Sequence, residues 1–179
     1  MSALSLHCKE WNTVTSASKS DAREQDAPCA LCDCMAGRRP CHVIAETRTT
    51  VAFLNPRQRS QGSVLVVPRR HISPMSALTE EETFEGFVVA REIGAALFRA
   101  FRPDGLHTWC RLSRETPKHF VHHHFQLVPR YNGEPYSYAK SWELDLTDDS
   151  VLQRIAQTLR NTLHVTAPTC GPRKGVSTS

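Results

Sequence analysis

The chain has 179 residues and a formal net charge of +4, with 40% hydrophobic and 22% charged residues. Those values suit one globular domain with its own core, and they exclude both a low-complexity chain and a disulfide-dependent miniature scaffold. No apolar run approaches the ~20 residues that span a bilayer, so no spanning segment is expected and a membrane is not an expected partner.

Residues 1–27 are rich in Ser, Thr, Ala and charge without period, and are expected to be a mobile tail. They carry neither the apolar core of a secretory signal nor, given Glu10, Asp21, Glu24 and Asp26, the acid-poor composition of a transit peptide. A cytoplasmic setting is the expected default. The folded unit is expected over 28–165, with a second tail over 166–179.

Within it, His42–Glu46, Thr50–Leu54 and Ser63–Val67 are short runs rich in β-branched residues. Gly62 and Pro68 bound the third, and all three are expected to be strands. Thr79-Glu80-Glu81-Glu82 has the form of a capping box. Apolar residues then keep helical spacing to Phe101, before Pro103 stops the helix. Leu106–Leu112 and Phe120–Val128 are expected strands, and 148–163 an amphipathic closing helix. Strands grouped on either side of one long helix predict an α+β fold with an antiparallel sheet.

Four of the seven cysteines fall between Cys29 and Cys41. In a chain with no export signal they are expected to stay reduced, serving metal binding or burial rather than disulfides. The basic residues are scattered, so nucleic acid is not an expected partner.

Five of the nine histidines lie between His107 and His124. If 120–128 is one strand, His122, His124 and Gln126 share a face, with successive side chains roughly 7 Å apart. His123, Phe125 and Leu127 take the other. Imidazole as nucleophile and an amide as donor make such a face suited to phosphate chemistry. A solvated or adventitiously metal-binding histidine cluster is the alternative.

The run His122-His123-His124-Phe125-Gln126-Leu127-Val128-Pro129-Arg130 resembles the signature of the histidine triad (HIT) superfamily. Gln126 stands at the third position, as in the His-x-His-x-Gln of galactose-1-phosphate uridylyltransferases and diadenosine polyphosphate phosphorylases. His123 occupies a place that is usually apolar. Further anchors agree: Cys29-x-x-Cys32, Gly37 and Pro40 at the usual spacings, Ala52-Phe53-Leu54-Asn55, and Pro68-x-x-His71. The resemblance covers residues 29 to about 136 and implies a HIT-like fold of about five strands with one long helix and a C-terminal helix.

The resemblance also implies roles. His124 would attack the α-phosphorus of a nucleotide or dinucleotide, giving a nucleotidyl-histidine, with Gln126 as a hydrogen-bond donor. Asn55 matches the residue that holds the ribose hydroxyls, although Asn also favours turns. Zinc-bearing relatives use the positions of Cys29, Cys32, His71 and His122, which implies a structural Zn site; Cys34 is the rival thiol. Homodimers are common among relatives. The phosphate loop departs from the family pattern. Pro117, Lys118, His119 and Phe120 replace its Gly-Gln-Ser/Thr-Val, and Arg111 replaces an Asn or Gln. Proline removes a backbone donor; Arg111, Lys118 and His119 either offset this with positive charge toward a polyphosphate or are surface residues that came with a lost activity. The rival to a hydrolase or nucleotidyltransferase is a nucleotide- or partner-binding module without turnover.

Overall fold

The computed structural model describes residues 29–73, 75–110, 122–133 and 144–163. The two expected tails lie outside them.

Thr50-Val51-Ala52-Phe53-Leu54 and Val64-Leu65-Val66-Val67-Pro68 are apolar on both alternations, which suits strands covered on both faces. They form β2 (Thr50–Leu54) and β3 (Val64–Pro68), buried at every position. With β1 (Val43–Glu46), β4 (Gly105–Cys110) and β5 (Phe125–Arg130) they make a five-stranded antiparallel sheet in the order β1-β2-β3-β5-β4. Three helices accompany it: α1 (Ala30–Met35), α2 (Glu80–Phe101) and α3 (Asp149–Thr162).

One face of the sheet carries the main core. Ala52, Leu54, Val64, Val66, Phe125 and Leu127 meet Val89, Ile93, Ala96 and Leu97 of α2 and Leu152, Ile155, Ala156 and Leu159 of α3. The other face carries Val51, Phe53, Leu65 and Val67, against which Leu31, Cys34 and Met35 of the α1 segment pack with Cys41 and Val43. The strand register extends this second face as a row: Phe53 opposite Leu65, Leu65 opposite Gln126, and Gln126 opposite Trp109. The site lies on this face, turned away from α2.

The capping box is present in full: Thr79 Oγ1 accepts from the Glu82 N–H, and Glu82 accepts from the Thr79 N–H. Arg102 closes α2 in the left-handed conformation, just before Pro103. Among the described residues no helix is long and apolar enough to cross a membrane.

One expectation needs correction. Strand β5 begins at Phe125, so the histidine run precedes the strand instead of lying within it. The ladder to β3 starts at Val66–Phe125, whereas the His123 N–H turns to the Ile72 carbonyl at 2.6 Å. This peels 122–124 off toward the loop after β3. The helix α1, only six residues long, has no counterpart in the sequence-based expectation.

Candidate functional site

The cysteine pair is built locally. Cys29 is the N-cap of α1, and its Sγ accepts from the Cys32 N–H at 3.4 Å. One turn of helix thereby sets both thiols on one side. His71 follows β3, and His122 leads into β5. These two distant segments bring their rings to 4.7 Å between centroids. The ligand atoms of Cys29, Cys32, His71 and His122 all lie within 4.8 Å of one another, a group able to hold a metal ion. His122 Nδ1 stands 3.5 Å from Cys29 Sγ and 3.3 Å from Cys32 Sγ, and His71 Nδ1 stands 3.2 Å from Cys32 Sγ.

The tautomer of His122 is set from behind. Its Nε2–H donates to the Pro68 carbonyl at 2.9 Å, leaving the Nδ1 lone pair toward the sulfurs. Burial, reinforced by His71 nearby, lowers its pKa to about 4, which keeps the ring neutral. Burial together with Cys29 pushes the Cys32 thiol up to about 12. The rival thiol, Cys34, lies elsewhere: it packs on the Val51–Phe53 face and its carbonyl accepts from Cys41 Sγ at 3.6 Å.

His124, the next residue but one, is half-buried. Its Nδ1–H donates to the His122 carbonyl at 3.0 Å, which places the lone pair on Nε2. Gln126 follows on β5 and is 6% exposed. Its Oε1 accepts from Trp109 Nε1 at 2.9 Å, while its buried Nε2 has no partner among the described residues. Arg59 stacks on the Trp109 ring at 5.2 Å.

Asn55 is buried at the end of β2, where Oδ1 accepts from the Arg57 N–H at 3.0 Å. Its side chain thus shapes the turn that opens the 55–63 loop. His123 is buried, and its ring meets Phe125 edge-on at 5.2 Å. The structure brings together the four Cys and His positions and sets His124 beside them. Arg111, Lys118 and His119 lie outside the described residues, as does the altered loop at Pro117. Sequence reasoning missed Trp109, Arg59 and the two carbonyls of Pro68 and His122. Backbone acceptors leave no residue-type signal, and nothing local linked Trp109 to Gln126.

Comparison with known proteins shows the family and the fold. A family model described as "HIT domain" matches residues 36–133. The chain is 28% identical over 120 residues to "Protein hit" of Bacillus subtilis, covering 67% of this chain and 82% of that protein. It is 27% identical over 114 residues to the adenosine 5'-monophosphoramidase hnt1 of Schizosaccharomyces pombe, covering 64% and 82% respectively. Among solved structures, a hypothetical histidine triad nucleotide-binding protein from Sulfolobus tokodaii superposes with a TM-score of 0.65 at 19% identity, covering 75% of this chain and 91% of that one. A Zn-bound histidine triad family protein from Mycobacterium smegmatis gives 0.62 at 23% identity, with 75% and 92% covered. At these identities the structural likeness establishes the fold.

Proposed function

The chain belongs to the HIT domain family, and from that premise we propose that it is a nucleotide hydrolase or nucleotidyltransferase acting through a nucleotidyl-histidine. The observation that carries this reading is the hydrogen bond from His124 Nδ1 to the His122 carbonyl. A nucleophilic imidazole needs its lone pair on the nitrogen facing substrate, and this bond assigns it to Nε2. His124 Nε2 forms a bond to the α-phosphorus as the bond to the leaving group breaks, and water or another acceptor then releases the nucleotide. Gln126 Nε2–H donates to a phosphate oxygen as charge develops there, a role that needs no titration. The hydrogen bond that Trp109 Nε1–H donates to Gln126 Oε1 supports it, since the amide then presents its NH₂ end. Asn55 stands beside the ribose in this reading, and Arg111, Lys118 and His119 act on the phosphates.

The donor set suits structural zinc. Zn–S of about 2.3 Å and Zn–N of about 2.0 Å at tetrahedral angles give sulfur–nitrogen edges of roughly 3.5 Å. The observed separations are 3.2 to 3.5 Å. Four protein ligands leave no coordination position for water, so the ion would brace His122 and leave the chemistry to His124. A homodimer is the proposed assembly. Strand β4 lies at the sheet edge, and Phe84, Phe87 and Phe98 are exposed on α2.

The test is to incubate the protein and His124→Ala with adenosine 5'-phosphoramidate and with diadenosine tetraphosphate, with and without inorganic phosphate. AMP from the first substrate is expected, reduced at least about a thousandfold in the variant. With the second, AMP plus ATP indicates hydrolysis, and ADP plus ATP in phosphate indicates phosphorolysis. Nucleotide binding with no product from either would favour the module without turnover.

A further inference from the structure

A glutamine amide has a symmetry problem as a phosphate donor. Rotated by half a turn about its last side-chain bond, it presents a carbonyl oxygen to the phosphate and repels it. The amide of Gln126 therefore acts as a donor only if something holds its oxygen elsewhere. Trp109 supplies that hold. It is the direct cross-strand partner of Gln126 on β4, and its Nε1–H, which donates and never accepts, meets Oε1 at 2.9 Å. The flipped amide would set N–H against N–H in a site where Gln126 is only 6% exposed, with little water to relieve it. The Arg59 guanidinium in turn lies over the indole ring, 5.2 Å from its centroid. Gln126 Nε2 remains buried with no partner among the described residues, the state of a donor waiting for an acceptor.

We propose that Trp109 is a positioning residue that locks the Gln126 amide with its NH₂ toward the bound phosphate, with Arg59 bracing the indole from one face. This rests on the reading of Gln126 as a phosphate donor. A histidine in that place would need a different hold, since an imidazole carries its proton on either nitrogen. The lock is thus the counterpart, in this chain, of the glutamine substitution.

The decisive comparison is Trp109→Phe, which keeps an aromatic ring under Arg59 but removes the N–H, made alone and with Gln126→Leu. With adenosine 5'-phosphoramidate, Trp109→Phe is expected to lower kcat about tenfold with KM within about twofold. On the Gln126→Leu background it is expected to cost less than about twofold more. Equal losses on both backgrounds would overturn the proposal, as would a rise in KM at constant kcat. The lock is also read without turnover. In ¹⁵N spectra the Gln126 side-chain NH₂ pair should be single and slowly exchanging in the wild type, then broadened or doubled in Trp109→Phe. Unchanged amide signals would sink the lock even if the enzyme is active. Absence of turnover and of AMP binding in the wild type, with the amide change present, would overturn the parent reading instead. Should Trp109→Phe not fold, the Trp109 indole resonance in Gln126→Leu decides: an upfield shift with faster exchange supports the bond, and no shift refutes it.

Discussion

His123 does at residue scale what an apolar side chain would do. It is 3% exposed, it meets Phe125 edge-on, and neither ring nitrogen has a partner among the described residues. A buried polar group left unsatisfied costs about 1–3 kcal/mol. Burial, and then the nearby His124, holds its pKa below the ordinary histidine value. The sign follows from proton binding: below an ordinary pKa near ~6.5 the unfolded chain takes up a proton that the folded ring refuses, so stability falls as pH drops. We therefore expect His123→Phe to raise the melting temperature and to flatten its decline from about pH 7 to 5, measured by thermal melts across that range. A lower melting temperature with an unchanged slope would count against this account. His122, with its pKa at about 4, contributes a decline of the same sign in both proteins without metal. The resemblance carried by residues 122–130 pointed to His122, His124 and Gln126 from sequence, whereas the strand alternation expected for them did not hold, because β5 begins at Phe125. Their partners were not legible, because the Pro68 carbonyl and Trp109 reach them through packing and strand register rather than local spacing.

At the scale of elements, the loop between β2 and β3 shows how the sheet face is kept in shape. The Gln58 amide does this from within the loop. Its Nε2 donates to the carbonyls of Asn55 at 2.6 Å and Ser63 at 2.9 Å, and its Oε1 accepts from the N–H groups of Gly62 at 2.8 Å and Ser63 at 3.0 Å. Gly62 completes the turn at φ +89°, where an added Cβ would come within 2.7 Å of Leu97 Cδ2 in the α2 core. Gly62→Ala is expected to cost about 1–3 kcal/mol through backbone strain and this contact. A drop of about 2–4 °C per kcal/mol in a melt would register it. An unchanged melting temperature would show that Leu97 and the turn yield freely. Gly62 was legible as the boundary of a strand, but the tight approach to Leu97 was not. Element ends followed the same division. The capping box marked the start of α2 to the residue, since its signal is wholly local. The start of β5 was misplaced because β-forming residues continue N-terminally, while the backbone there bonds to Ile72 instead of to a strand. Helix α1 escaped because six residues carry too little period to show.

At the scale of the molecule, the proposed metal site joins three segments: the N-terminus of α1, the residues after β3 and those before β5. Helix α1 has no fully buried residue, and its N-cap is one of the four candidate ligands. Cys29 and His122 stand 93 positions apart in sequence, so an ion between them closes a long loop. Burial and Cys29 push the Cys32 thiol up to about 12. Zinc must displace thiol protons, because thiolate and not thiol is the ligand. Loading at neutral pH is therefore expected to release about two protons per ion, and the affinity should weaken as pH falls. In weakly buffered indicator solution, release near zero would argue against a two-cysteine site. Metal analysis is expected to find about one zinc per chain in the wild type and far less in Cys32→Ser. Chelation should lower the melting temperature of the wild type and leave Cys32→Ser unmoved. The consequence for chemistry is indirect. The ion would fix the ring of His122, whose own carbonyl accepts from His124 Nδ1. Loss of metal should then loosen the tautomer lock on the nucleophile and reduce kcat more than it raises KM. A rise in KM alone after chelation would place the role of the metal in the nucleotide pocket and not in the alignment of His124.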